Sequence, residues 1–493
     1  MAERIRNYIG GEWVDPSSNE WAPNINPART DEVIDEFPLS TTSDLDLAVQ
    51  AAKKVQPRWA RVPAPKRGEL LFKAHALMAE RADELARALT REEGKVLPEA
   101  KGEVQKTLKL LEFIAGEGRR LNGQTIPSEI PSTFAYTTRA PLGVVGLITP
   151  WNFPVAIPVW KIAPALVAGN TVVLKPAEQT PTTARIITEI LADAGLPAGV
   201  LNTVYGRGES VGARLVDHPD VAAISFTGST EVGLKAYVEG ARKNKKVQCE
   251  MGGKNALILL EDGDVDLAVA AAAKGAFGST GQRCTATSRA VVHEDVYDAF
   301  VKGVVEAAKQ VKPGDGLEEA TSMGPSVDEK QLEQVLRYIE VAKSEGVTLE
   351  LPGGRFDEGA LANGYFPRPT VLTGVTPEMR VAQEEIFGPV LSVIKVSSFE
   401  EAIEVANNSE YGLSSSIYTR DVGRVFDYVN DIETGILHVN SPTIGGEAQL
   451  PFGGVKNTGV GEREMGPTAI DFYTELKTVY VDYASKLREG NLY

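Results

Sequence analysis

The chain has 493 residues, with 51 Lys and Arg against 67 Asp and Glu and a formal net charge of −16. That balance repels nucleic-acid phosphates and anionic membrane surfaces, and 43% hydrophobic with 24% charged residues excludes a disordered chain. Two cysteines, Cys249 and Cys284, cannot supply a disulfide framework for this length, so reduced thiols and a cytoplasmic setting are expected.

The N-terminus carries charges at once, with no apolar run that would read as a secretory signal. Gly10-Gly11 between Tyr8 and Val14 predicts a small hairpin. Asp44 to Glu117 reads as mostly helical. From Ala140 to Trp160 no charge occurs, but Pro141, Pro150, Pro154 and Pro158 break any membrane-spanning helix, and a buried strand, a loop and a helix are expected instead. Short apolar runs then start at Val144, Thr171, Val200, Val221 and Lys246, with helical stretches at Thr182 to Ala194 and Thr230 to Lys243 between them. This alternation predicts a parallel α/β sheet that binds ligands beyond the carboxyl ends of its strands. A second α/β region spans about Lys254 to Asn440. Two β-rich pieces, Thr125 to Thr138 and Asp471 to Tyr483, stand outside both and could pair through exposed edges with another subunit.

Cys284 follows a glycine-bearing turn in Phe277-Gly-Ser-Thr-Gly-Gln-Arg-Cys284, polar surroundings that favour an accessible nucleophile over a core thiol. Cys249 sits in the strand that ends at Glu250, and alternation sends the two side chains to opposite faces. Glu250 is then either a general base raised by partial burial or an ordinary strand-end glutamate. Gly228-Ser-Thr-Glu-Val-Gly233 follows a strand and opens a helix, so its amides and the Ser229 hydroxyl could hold a pyrophosphate. No paired cysteines and no His-x-x-x-His spacing occur, and no metal site is expected.

Thr149-Pro-Trp-Asn-Phe-Pro154, Lys175-Pro-Ala-Glu178, Phe226 to Gly233, Glu250-Met-Gly-Gly-Lys254, Gly281-Gln-Arg-Cys284, Glu385-Ile-Phe-Gly-Pro389 and Pro451-Phe-Gly-Gly-Val-Lys456 together resemble the NAD(P)-dependent aldehyde dehydrogenase superfamily. The likeness covers essentially the whole chain, and the Glu-to-Cys interval, 284 − 250 = 34, resembles the family's. The resemblance implies an α/β fold with a Rossmann-type cofactor domain (1–124 and 142–253), an α/β catalytic domain (254–455) and a small β oligomerisation arm with a C-terminal tail (125–141 and 456–493). It implies Cys284 as nucleophile, Asn152 as oxyanion donor and Glu250 as base. Trp151, Lys175, Glu178, Gly228, Ser229, Glu385 and Phe387 would hold the cofactor. NAD would be preferred because Glu178 repels a 2′-phosphate, with Lys175 leaving NADP open.

Phe153 and Trp160 would flank the acyl tunnel, while Arg283 could face a substrate carboxylate or the protein. The partners implied are a small aldehyde and further copies of the chain in a homodimer or homotetramer. Lys161 and Pro389 fit the pattern without an assigned role. Ser279-Thr280 and the acidic residue before Arg463 depart from the usual pattern. The Gly-Gln-Arg-Cys-Thr-Ala286 context and His438 to Glu447 look most like members that oxidise α-ketoglutaric semialdehyde. A CoA-acylating semialdehyde dehydrogenase and a cofactor-independent thiol esterase are the rival readings.

Overall fold

A computed structural model describes residues 3–484; the last residues of the expected tail lie outside them. The larger sheet runs in the order Gly459–Val460, Lys246–Glu250, Val221–Thr227, Val144–Ile148, Thr171–Lys175, Leu201–Thr203, Asn7–Ile9, Glu12–Val14. Its five middle strands are parallel, and the flanking ones pair antiparallel. In chain order the parallel strands lie 5-4-1-2-3, which is the doubly wound arrangement. The order reverses between Val144–Ile148 and Val221–Thr227, and a crevice therefore opens beyond their carboxyl ends. Thr149 to Phe153 and Gly228-Ser229 occupy that position.

The predicted hairpin is present, with Tyr8 opposite Trp13 and both turn glycines at positive φ, +64° and +95°. The uncharged stretch resolves into strand, loop and the helix Ala156–Ala168, which is buried on every side and ends at Gly169 in the left-handed conformation. Among the described residues no helix is long and apolar enough to cross a membrane. The helical region divides into Thr42–Ala60, Ala64–Glu80, Ala82–Glu93 and Leu97–Glu117. The last of these packs against the buried helix, burying Val104, Leu108 and Leu111 in the largest apolar cluster.

A second sheet runs Thr348–Leu349, Thr370–Thr373, Val390–Val396, Thr287–His293, Asn255–Leu259, Ser414–Tyr418, Ile436–Val439, parallel except at its first strand. The four residues Met251 to Lys254 carry the chain from the first sheet into the second, so Glu250 and the start of the second sheet share one junction, and the chain returns to the first sheet at Gly459–Val460. The two β-rich pieces pair with each other: Thr474–Asp482 lies antiparallel to Thr133–Pro141 across nine registers, and Thr125–Ile126 completes the sheet. Phe134, Leu476, Tyr480 and Val481 are left exposed on it.

Candidate active site

Cys284 stands on a loop immediately upstream of the strand Thr287–His293. The loop is forced into shape by three successive left-handed residues, Ser279, Thr280 and Gly281, at φ +48°, +58° and +69°. Gly281 is obligatory there, because a Cβ would stand 2.1 Å from the Gly388 carbonyl oxygen. Thr280 Oγ1 donates to the Gly324 carbonyl (2.8 Å), fixing a turn whose residue types depart from the usual pattern. The Cys284 thiol is only half-buried by area, yet it packs against the main apolar cluster. Burial, reinforced by the charges of Glu250 and Glu385, pushes it up to about 12, while Lys106 and a hydrogen bond from the Thr285 backbone pull the other way. The thiol is thus partly exposed, as the polar glycine-bearing turn suggests, and desolvation leaves the resting sulfur neutral. Cys249 is fully buried with Sγ 3.5 Å from the Gly233 carbonyl, and burial pushes this thiol up to about 12 as well.

Asn152 is buried, and its Nδ2 donates to the Gln282 carbonyl (3.1 Å). One amide hydrogen thereby ties it to the loop that carries Cys284 and the second stays free. Lys95 Nζ bridges the Asn152 carbonyl (2.8 Å) and Glu103 Oε2 (2.7 Å). Glu103 Oε1 in turn accepts from the Val155 and Ala156 backbone amides at 2.9 and 3.1 Å, just where the buried helix begins. A buried ion pair thus fixes the turn that carries Asn152.

Glu250 ends its strand 4% exposed. Burial first, then the charge of Glu464, holds its carboxyl well above the ordinary carboxylate range, opposed by Lys161 and Arg463. A Cβ on Gly453 would lie 2.4 Å from Glu250 Oε1, so glycine is what admits the carboxylate. Lys161 Nζ ion-pairs with Glu464 and donates to Ser225 Oγ (2.7 Å), a buried polar group beside Glu250. Glu464 and Ser225 were not singled out from the sequence. A lysine inside an otherwise apolar helix was the available signal, since a buried ammonium requires a partner.

Trp151, Asn152, Gly228, Ser229, Cys284, Glu385 and Phe387 line one cavity of about 200 Å³, bringing seven of the predicted site residues together. Ser229 precedes the helix Thr230–Arg242 in extended conformation, and its hydroxyl makes no capping hydrogen bond. Gly253 N–H donates to Glu385 Oε1 (2.8 Å), and burial holds Glu385 up to about 7. A Cβ on Gly252 would stand 2.6 Å from the other Glu385 oxygen. Trp151 and Phe387 meet edge to face at 5.4 Å.

Farther along, buried Lys175 ends its strand 3.6 Å from Glu178, which accepts from the Gly208 amide (3.0 Å). Phe153 lies under the Lys95 ammonium at 4.1 Å, and Trp160 stacks 5.4 Å from Phe452. Of the two faces open to Arg283, the guanidinium takes the protein side: Nη2 binds Glu99 (2.9 Å), and Nε and Nη2 both bind Ser279 Oγ. Among the described residues no cluster of side chains suits a metal ion.

A doubly wound sheet whose crevice faces a partly buried cysteine defines a dehydrogenase-like α/β enzyme, and the chain belongs to the aldehyde dehydrogenase family, whose model matches residues 13–479. It is 45% identical to the α-ketoglutaric semialdehyde dehydrogenase of Bacillus subtilis over 96% of this chain and 97% of that one. It is 42% identical to malonate-semialdehyde dehydrogenase 1 of Geobacillus thermodenitrificans over 96% and 98%. The crystal structure of Staphylococcus aureus betaine aldehyde dehydrogenase in complex with NAD+ superposes with a TM-score of 0.95 at 34% identity, covering 98% of this chain and 95% of that one.

Proposed function

We propose that this enzyme oxidises a small semialdehyde, α-ketoglutaric semialdehyde foremost, to the carboxylate with a nicotinamide dinucleotide. The observation that carries the reading is the meeting of Cys284 and the Asn152 amide on one cavity, with Glu250 on the adjoining junction. The cofactor fits the same cavity: Gly252 and Gly253 press against Glu385, and Ser229 keeps an uncommitted hydroxyl at a helix start. Trp151, Gly228, Ser229, Glu385 and Phe387 would hold it, with Lys175 and Glu178 on its ribose. When bound, it supplies the hydride acceptor that turns the hemithioacetal into a thioester.

The chain's own residues do the rest. Cys284 loses its proton to Glu250 directly or through water, and its sulfur adds to the aldehyde carbon. The free Asn152 N–H and the Cys284 backbone N–H hold the oxyanion; losing one such donor typically costs about 2.7–4 kcal/mol of transition-state stabilisation. Glu250 then gives the thiol's proton up to bulk solvent, and after oxidation it takes a proton from water, whose oxygen attacks the thioester carbon. The C–S bond breaks and the thiolate recovers a proton. Burial raises the proton affinity of the Glu250 carboxylate, which strengthens it as a base, and the Lys161–Glu464 pair beside it gives the proton a polar neighbour.

Glu178 beside Lys175 supports NAD over NADP, since a carboxylate accepts from ribose hydroxyls but repels a phosphate. The exposed apolar residues of the three-stranded sheet support the homodimer or homotetramer, and the two large sheets support the division into cofactor and catalytic domains. The test is absorbance of reduced nicotinamide with α-ketoglutaric and malonate semialdehydes, each with NAD and NADP, with and without CoA. Turnover only with CoA would replace hydrolysis by acylation. Ester cleavage without aldehyde oxidation would favour the esterase.

A further inference from the structure

A second cavity, about 680 Å³, shares no lining residue with the one that holds Cys284. One wall is the helix Leu97–Glu117, through Gly102, Gln105, Lys106, Lys109, Glu112 and Phe113; the other is the segment 446–449, which includes Glu447. Lys106 Nζ stands 5.6 Å from the Trp160 ring centroid and 5.9 Å from that of Phe452, and 3.5 Å from where a Cβ on Gly446 would be. It makes no ion pair and no hydrogen bond to any described residue.

The neighbouring cations are all engaged: Lys95 with Glu103, Lys161 with Glu464 and Arg283 with Glu99. Lys109, on the same wall, is exposed to solvent. Trp160 adds a second uncommitted donor, because its Nε1 is buried without an acceptor. A partly buried ammonium flanked by two aromatic rings and an unpaired indole N–H has a deficit of one acceptor.

The position relative to the nucleophile completes the case. Lys106 and Cys284 are near enough to act on each other electrostatically, and Phe153, Trp160 and Cys284 belong to the same apolar cluster. A substrate reaching from Cys284 in the first cavity past the Phe153 and Trp160 rings toward the second would meet the Lys106 ammonium, with Lys109, Glu112 and Glu447 also lining that second cavity.

We propose that Lys106 is the receptor for the distal carboxylate of an ω-semialdehyde, and so the residue that selects anionic over neutral aldehydes. This rests on Cys284 being the nucleophile of the function proposed above. It assigns to Lys106, rather than to the internally paired Arg283, the recognition of the substrate's charge. Burial, with the Arg283 charge adding to it, lowers the Lys106 ammonium's pKa, while Cys284 and Glu103 pull the other way.

The experiment compares kcat/KM for α-ketoglutaric semialdehyde and for pentanal, an uncharged aldehyde of the same carbon count, in wild type, Lys106→Met and Lys106→Arg. A lost charge-assisted hydrogen bond predicts that the anionic-to-neutral ratio falls about 10- to 100-fold in Lys106→Met, through KM for the anion, and that Lys106→Arg keeps most of it. A parallel reading needs no turnover: glutarate should slow alkylation of Cys284 by iodoacetamide in wild type, and about tenfold more should be required in Lys106→Met. Thermal midpoints establish that the variants fold, with Lys106→Gln replacing Lys106→Met if it does not. A ratio that moves less than twofold in a folded neutral variant, or glutarate protection equal in variant and wild type, overturns the assignment. Oxidation of neither aldehyde by wild type overturns the function reading, while glutarate protection still decides the role of Lys106.

Discussion

Replacing Glu103 by glutamine tests whether the buried pair behind Asn152 holds the site together. Lys95 and Glu103 side chains are each 1% exposed and 2.7 Å apart. The glutamine oxygen can still accept from the Val155 and Ala156 amides, but its NH2 then faces Lys95, so the change removes both the charge and the ammonium's carboxylate acceptor. Stranding one partner of a buried pair costs about 3–5 kcal/mol in general. Here Glu93 moderates the cost. It is fully buried, accepts from the Lys95 backbone amide (2.9 Å), and burial holds it up to about 8, with the charge of Glu103 contributing. Once Glu103 is neutral, Glu93 can ionise toward Lys95 and supply a replacement charge.

We therefore expect about 2–3 kcal/mol for Glu103→Gln near neutral pH, little for Glu93→Gln, and the full 3–5 kcal/mol or so for the double variant. Urea unfolding followed by tryptophan fluorescence measures all three, with unchanged m-values confirming a pure stability effect. A loss under about 0.5 kcal/mol for Glu103→Gln, or strict additivity of the two changes, would refute the reasoning.

Asn152→Ala should lower kcat by about 10²–10³ while destabilising by only about 1 kcal/mol, the worth of its bond to Gln282; a large loss of stability with normal kcat would reverse the assignment. Gly453→Ala places a methyl against Glu250, so thioester hydrolysis should slow by about tenfold or more while a burst of reduced nicotinamide persists. A thiol at about 12 is almost wholly protonated at pH 8, so cofactor-free Cys284 should react with iodoacetamide about 10³-fold more slowly than an ordinary thiol, and faster as pH rises. A flat pH profile would contradict that. Glu92, Glu93 and Glu385, raised to about 7, 8 and 7, bind protons more tightly folded than unfolded. Their contribution to stability is present below about pH 4.5 and is lost as pH rises through 7 to 8, visible as a declining urea midpoint in Gln-variant comparisons.

The elements that reach the crevice were legible because each has a local cause. The five parallel strands announce themselves as apolar runs, and Gly228-Ser229 and Gly281 mark places where the backbone must turn or approach another chain segment closely. The departure at Ser279-Thr280 was legible as a departure but not as a strained turn, since φ depends on the contacts with Gly324 and Gly388. The buried charges were harder. Nothing in the run around Glu103 separates it from the surface glutamates of the same helix, and Lys106 reads as one more solvated lysine. Their roles come from which faces of that helix meet the buried helix and the 446–449 segment, a long-range fact that local periodicity does not hold. Arg283 was ambiguous for the same reason, because Glu99 lies far from it in sequence.

The cage around Glu250 has a temporal side. Gly453, Gly459 and Glu464 all come from the C-terminal part of the chain, as does the strand Thr474–Asp482 that covers Thr133–Pro141. During synthesis the first sheet can assemble around its five parallel strands, but its outer edge at Lys246–Glu250 and the strand Thr133–Pro141 stay bare until translation is nearly finished. A nascent or truncated chain therefore carries Cys284 with an incomplete proton path and two unpaired strand edges open to association. Catalytic competence and protection from aggregation arrive together, at the end of translation.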